Sequence, residues 1–255
     1  MKLNGKTIVI TGVSSGMGAE VARLVRFEGA QVIGMDRNPP MISVDGFVEV
    51  DMGNPASIDA AVKELPDRFE GLCNAAGIPG TSPKDDVAKI NYLGLRHLTE
   101  AVVDRLVPGA GIINFASILG GEWQTRLDRH KALAATNDFA SGWAWLEANP
   151  VPQETCYQYF KEALIVWTYI KSQAWFLEKD IRMNSIAPGP VFTPILDDFV
   201  IMVGADRVEA DAAKMKRPGY ADEIAPVVSF LLSDEARWVS GVNLPIDGGL
   251  ASTYV

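Results

Sequence analysis

Short apolar runs alternate with longer stretches of helical periodicity from the first residues onward. The pattern predicts strands over 7–10, 31–35, 46–50, 72–75, 111–116, 181–186 and 242–245. Helices are expected over 18–28, 55–65, 86–106, 157–177 and 221–232. In 18–28, Val21, Ala22, Leu24 and Val25 fall on one face. Ahead of 55–65, Asn54 is placed to cap the helix, and Pro55 takes the first helical position, where its missing N–H is no loss. Parallel strands need crossover connections, so this alternation implies a parallel sheet covered on both faces. The expected fold is α/β: a Rossmann-type doubly wound sheet of seven parallel strands, forming a single domain over 1–255.

One segment breaks the rhythm. Between Ser117, at the end of the fifth strand, and Thr155, before the next helix, lie 37 residues. Structureless connections beyond ~12–15 residues are uncommon, so 118–154 is expected to be a helical insert near the C-terminal edge of the sheet. It carries Trp123, Leu127 and Ala134 at helical spacing, together with Phe139, Trp143 and Trp145.

The first strand runs into Thr11-Gly12-Val13-Ser14-Ser15-Gly16-Met17-Gly18 and then a helix. Glycines at such a turn let the backbone approach a pyrophosphate held by the free amides of the helix N-terminus. Glycine spacing alone would serve a simple chain reversal equally well; the strand–turn–helix context favours the nucleotide. The second strand ends at Asp36, 18 residues after Gly18. A carboxylate there accepts both ribose hydroxyls of NAD and repels the 2′-phosphate of NADP. Arg37 dissents, since it could pair with a 2′-phosphate, or simply lie solvated over adenine.

Composition narrows the classes. The 23 Lys and Arg against 32 Asp and Glu leave a net charge of −9, which disfavours a nucleic-acid partner. Cys73, Cys156, His97 and His130 form neither a zinc-ligand pattern nor a disulfide framework, so no metal is expected. No run approaches the ~20 apolar residues of a membrane helix. The N-terminus enters the first strand with no room for a signal peptide, so the expected location is the cytoplasm.

These motifs resemble the short-chain dehydrogenase/reductase family over essentially the whole chain. The turn has its TGxxxGxG spacing, followed by Asn74-Ala75-Ala76-Gly77, Asn91 within KINYLG, and Ser117 within NFAS. Tyr157 and Lys161 form a YxxxK pair, and Pro188-Gly189-Pro190-Val191 and Ile246-Asp247-Gly248-Gly249 fall in order. The insert departs from the common pattern and is similar to that of a subgroup acting on 3α-hydroxysteroids and on coniferyl-type, aryl-allylic alcohols. The segments CYQYFKEALIVW, APGPVFTPIL and PIDGGLASTYV resemble the latter. The resemblance implies catalysis by Asn91, Ser117, Tyr157 and Lys161 with NAD as cofactor. It implies cofactor contacts from Gly12, Ser14, Ser15, Gly16, Met17, Gly18, Asp36, Arg37, Asp51, Met52, Asn74, Ala75, Ala76, Gly77, Tyr157, Lys161, Pro188, Gly189, Val191 and Thr193. It also implies a homo-oligomer; the insert, preceding the helix that bears Tyr157, is expected to favour a dimer over a tetramer.

The chemistry follows from the residue types. Tyr157 and Lys161 are i, i+4 and share a helical face. A Lys ammonium ~6 Å from the phenol at an effective dielectric of ~20 favours the phenolate by roughly 2–3 kcal/mol, about two pKa units. That would bring the phenol toward working pH as a base for an alcohol proton. Ser117 would orient the same oxygen, Asn91 would hold a water linking Lys161 to solvent, and Lys161 would hold the nicotinamide ribose. Tyr159 is a rival phenol but lies about 200° round the helix. Cys156 is expected to be a buried filler, His97 a helix residue without a role, and His130 a surface or packing residue. An NAD-sensing protein without chemistry, and a dehydratase or epimerase, are the competing classes. The tryptophan-bearing insert and the apolar stretch 195–217 (Leu196, Phe199, Val200, Met202, Val203) are the segments that could close over the nicotinamide and suit a flat hydrophobic alcohol; a local core or subunit contact is the alternative, and the favoured one for Trp143 and Trp145.

Overall fold

The computed structural model describes residues 2–254. A strand, β1 (Thr7–Thr11), leads into helix α1 (Gly16–Phe27), β2 (Gln31–Asp36), β3 (Gly46–Glu49) and α2 (Pro55–Glu64). Asn54 caps α2, its side chain accepting from the Ala56 and Ser57 amides. The chain continues through β4 (Phe69–Asn74), α3 (Lys84–Ala88), α4 (Leu95–Val102) and β5 (Leu106–Phe115). The insert holds α5 (Leu127–Ala134) and α6 (Phe139–Ala148), and the long α7 spans Cys156–Lys179. After β6 (Arg182–Pro188) come β7 (Val191–Phe192), α8 (Leu196–Val203), α9 (Ala205–Met215), β8 (Gly219–Tyr220), α10 (Ala221–Leu232) and β9 (Asn243–Ile246).

Seven strands pair in the order β3-β2-β1-β4-β5-β6-β9, all parallel. Side chains alternate across the sheet, so β1 feeds two cores. Ile8 and Ile10 pack with Val21, Val25 and Val228 of α1 and α10, whereas Val9 joins Ile58, Leu98 and Trp167 from α2, α4 and α7. Strand order reverses between β1 and β4, and register sets Thr11 beside both Met35 and Asn74. The loop Gly12–Ser15 therefore opens at the switch point, where doubly wound sheets bind ligands. Among the described residues, no helix is long and apolar enough to cross a membrane.

One feature departs from the expected pattern and two others complete it. The helix anticipated over 86–106 is interrupted: after α3, Lys89–Gly94 form a π-helical turn before α4, and β5 already begins at Leu106. The turn brings Gly94 against the Met52 carbonyl so closely that a Cβ would overlap it. Apolar periodicity is blind to such a bulge. The stretch 195–217 forms α8 and α9, bracketed by the short parallel pair β7–β8. The insert is helical as expected; its start, Ile118–Gly120, lies against β6 and α7, while α5 and α6 pack on α7 and the π-helical turn.

Candidate active site

The loop after β1 presents backbone. Gly12 has φ +77°, and a Cβ there would lie 2.7 Å from the Ala76 amide nitrogen, so any side chain would push the end of β4 away. Ser15 precedes α1 in extended conformation and its side chain makes no capping bond. Asp36, the last residue of β2, is held by two backbone amides: Ser14 N–H donates to Oδ2 (3.1 Å) and Asn38 N–H to Oδ1 (3.1 Å). Gly12, Ser14, Ser15, Gly16, Met17, Gly18, Asp36, Arg37, Asp51, Met52, Ala75, Ala76, Gly77 and Thr193 surround one crevice. Pro188, Gly189 and Val191 line its continuation toward Tyr157. These residues fit a dinucleotide: bare backbone at a helix N-terminus for a pyrophosphate, and a fixed carboxylate at the end of β2 for ribose hydroxyls.

Asn74 corrects the expectation. It is fully buried, and its Nδ2 donates to Thr99 Oγ1 and Asn114 Oδ1, both at 2.9 Å. Asn114 passes the network on to Thr168 Oγ1 at 3.0 Å. With both amide hydrogens spent on neighbouring elements, Asn74 ties β4 to β5 and α4 and does not face the crevice. Ala75 begins the lining.

At the far end of the crevice, α7 sets Tyr157 and Lys161 one turn apart beside the end of β5. The Ser117 hydroxyl lies beside the Tyr157 phenol in the same cleft, and Ser117 Oγ accepts from Leu119 N–H at 3.2 Å. Lys161 Nζ donates to the Phe115 carbonyl at 2.6 Å and lies 5.5 Å from the centre of the Tyr157 ring. Gly77 joins Asn91 to this group: a Cβ on it would sit 3.3 Å from Asn91 Oδ1 and 3.8 Å from Lys161 Nζ. The Asn91 side chain clamps the loop after β4, accepting from Ile78 N–H (2.8 Å) and donating to Ile78 O (2.9 Å).

Burial governs the electrostatics. It pushes the Tyr157 phenol above its ordinary range, opposed by the neighbouring Ser117 hydroxyl. The same burial pulls the Lys161 ammonium down to about 8. Spacing alone had suggested a phenol lowered by its lysine neighbour. With Tyr157 only 7% and Lys161 5% exposed, desolvation of the phenolate outweighs that attraction.

Of the two roles open to the insert tryptophans, cleft wall or local packing, the structure has them pack away from the chemistry. Trp123 packs edge-on to Tyr169, Lys89 Nζ lies 4.4 Å over the Trp143 ring, and the Arg129 guanidinium lies 5.9 Å over Trp145. His130 is not at the surface: it is fully buried, with Nε2 2.8 Å from Glu162 Oε2. Arg126 grips the same carboxylate at 2.7 and 2.8 Å. His97 is 2.7 Å from Asp59 Oδ1, Cys156 is buried, and Tyr159 packs against His130 and Arg129. The second expected segment does reach the site: Phe199 meets the Tyr157 ring edge-on at 5.1 Å. Ile78, Pro79, Phe115 and Ala116 also line the cleft and were not singled out in the sequence. Their place at the C-terminal ends of β4 and β5 is the signal that could have found them.

A buried phenol and ammonium facing a nucleotide crevice are suited to interconverting alcohols and carbonyls, and the chain belongs to the family that does so, the short-chain dehydrogenases. The model "short chain dehydrogenase" matches residues 6–127, and "Enoyl-(Acyl carrier protein) reductase" matches 146–251. The protein is an oxidoreductase acting on CH–OH groups. It is 56% identical to the coniferyl-alcohol dehydrogenase of Pseudomonas sp. (strain HR199 / DSM 7063), over the full length of both chains. It is 27% identical to the 3-alpha-hydroxysteroid dehydrogenase/carbonyl reductase of Comamonas testosteroni, covering 95% of each. Among solved structures it is similar to the 3-alpha-hydroxysteroid dehydrogenase of Pseudomonas sp. B-0831 complexed with NADH. That match has TM-score 0.81 and 25% identity, covering 97% of this chain and 98% of the other.

Proposed function

We propose that the protein oxidises a hydroxycinnamyl, coniferyl-type alcohol to its aldehyde with NAD as hydride acceptor. The observation that carries this reading is the full-length 56% identity with a coniferyl-alcohol dehydrogenase. The Phe199 wall beside Tyr157 supports it, since a flat aromatic alcohol needs an apolar cleft beside the base. Asp36 favours NAD over NADP by accepting ribose hydroxyls where a 2′-phosphate would be repelled; Arg37 is the residue that argues the other way. Bound NAD supplies the hydride acceptor, so the protein's part is orientation and proton transfer. Tyr157 takes the alcohol proton and Ser117 fixes the reacting oxygen. Lys161 supplies the positive charge that favours the phenolate, and it would hold the nicotinamide ribose. Asn91 keeps the loop carrying Gly77 and Ile78 in place. An allylic alcohol yields a conjugated aldehyde, which makes oxidation less uphill than for an aliphatic alcohol.

A second reading, 3α-hydroxysteroid oxidation, is favoured by the similarity to the NADH-bound Pseudomonas enzyme. The ratio of kcat/KM for coniferyl alcohol to that for androsterone, with NAD, discriminates between them. A tenfold preference for the steroid would overturn the first reading and leave the dehydrogenase class standing. We also infer a homodimer, because α5 packs along α7 and obstructs a face otherwise open to a partner. Light scattering should give twice the 27.6 kDa chain mass; four times that mass would reject the dimer.

A further inference from the structure

Beside Ser117 the cleft continues into an apolar cavity roofed by α8 and α9. The two spaces share Ser117, Gly189, Pro190 and Phe199 as walls. Among the described residues lining the inner cavity, one side chain is charged: Asp211, midway along α9 and only 9% exposed. An ionised carboxylate in such a wall is unfavourable unless it is paired and hydrogen-bonded. Arg207, one turn earlier on α9, donates through Nε to Oδ2 at 2.9 Å, and the Tyr254 hydroxyl donates to Oδ1. Neither partner is part of the cavity wall, so both hold the carboxylate from outside. A carboxylate offers about four acceptor sites, and these two donors leave two of them free. Tyr254 also shows that a phenolic O–H suits this acceptor.

We propose that Asp211 is the specificity-determining residue for the far end of the substrate, accepting the O–H of a para-hydroxyl on the aromatic ring while the allylic alcohol lies at Ser117 and Tyr157. This rests on the aryl-allylic reading above and adds the ring substituent that the site selects. The bond is charge-assisted, and a site built around it discriminates strongly against an analogue lacking the donor, whose binding leaves a buried acceptor unpaired.

The test is steady-state kinetics of the full chain with NAD on 4-hydroxycinnamyl, 4-methoxycinnamyl and cinnamyl alcohols. The wild type should prefer the 4-hydroxy compound by at least tenfold in kcat/KM over both others, ~1.4 kcal/mol of discrimination. In Asp211→Ala the ratio should fall close to unity. Asp211→Asn, which keeps a neutral acceptor, should lie between. Taking the ratio within one preparation cancels any general loss of folded enzyme. Should neither variant fold, the wild-type comparison of the free phenol with its methyl ether still decides. Equal kcat/KM for all three alcohols, or a preference that survives in Asp211→Ala, overturns the role of Asp211 and leaves the substrate reading intact. Failure to oxidise any of them, with turnover of a 3α-hydroxysteroid instead, overturns both.

Discussion

Replacing Lys161 with methionine should change stability in a way that depends on pH, and the size follows from where the ammonium sits. Lys161 is 5% exposed, and burial brings its pKa from an ordinary 10.5 down to about 8. Below pH 8 the lysine is charged in both folded and unfolded chains, and the folded state carries the whole cost of burying that charge. At 1.36 kcal/mol per pKa unit the cost is about 3 kcal/mol. Between 8 and 10.5 the folded chain has given up the proton while the unfolded chain still holds it, so the cost fades as pH rises. Methionine has a similar length and no charge. It also loses the bond to the Phe115 carbonyl, but that loss does not follow the lysine's titration. The stability difference between Lys161→Met and wild type should therefore shrink by about 2 kcal/mol, in the variant's disfavour, from pH 7 to pH 10. Urea unfolding of both proteins at the two pH values, extrapolated linearly to water, measures it. A difference that stays constant would refute the reasoning. The variant should be inactive at both, so the charge is retained at the expense of the fold.

The other expectations concern single side chains. Asp36→Ala should relax discrimination against NADP by at least tenfold, about 1.4 kcal/mol; a wild type that already uses both cofactors equally would disprove the role of that carboxylate. Tyr157→Phe should keep the fold and dinucleotide binding while kcat falls by several orders of magnitude, and retained turnover would put the base elsewhere. Glu162→Ala would leave buried His130 and the Arg126 guanidinium without their carboxylate, at a cost of roughly 3–5 kcal/mol. Calorimetry should find the midpoint lowered by on the order of 10 °C. Burial pushes the Glu162 carboxyl up, but His130 and Arg126 together bring it below its usual range. Its contribution should therefore be complete above ~4.3 and vanish as pH falls through the lower folded value, a pH dependence absent from Glu162→Ala.

Those positions differ in how openly the sequence declares them. Sheet strands announce themselves as apolar runs, and all seven were expected within a few residues of where they lie. β5 strays furthest, because Pro108 and Gly109, both exposed, interrupt the apolar run after Leu106 and Val107. The places of Asp36 and the Gly12 turn were readable because they depend on local order: strand, turn, helix, strand end. Asn74 misled for the opposite reason. It adjoins the lining residues Ala75–Gly77 in sequence, yet its side chain points into the sheet's interior, where Thr99 and Asn114 claim it.

The helix that carries the chemistry shows why the remainder was hidden. From Tyr159 to Thr168 every residue of α7 is buried, so hydrophobic periodicity cannot tell which flank meets the cleft and which meets the insert. The i, i+4 relation fixed Tyr157 and Lys161 on one side. Nothing in the spacing said that Glu162, the next residue, turns away to a histidine and an arginine contributed from 118–154. The insert's aromatic residues could be read either way because a tryptophan serves a cavity and a core with the same surface. In the structure Phe139, Trp143 and Trp145 are half-buried against the core. The cleft beside Tyr157 is walled instead by α8 and α9, where Phe199 stands against the phenol and Asp211 is, among the described residues, the one charged residue lining the inner cavity.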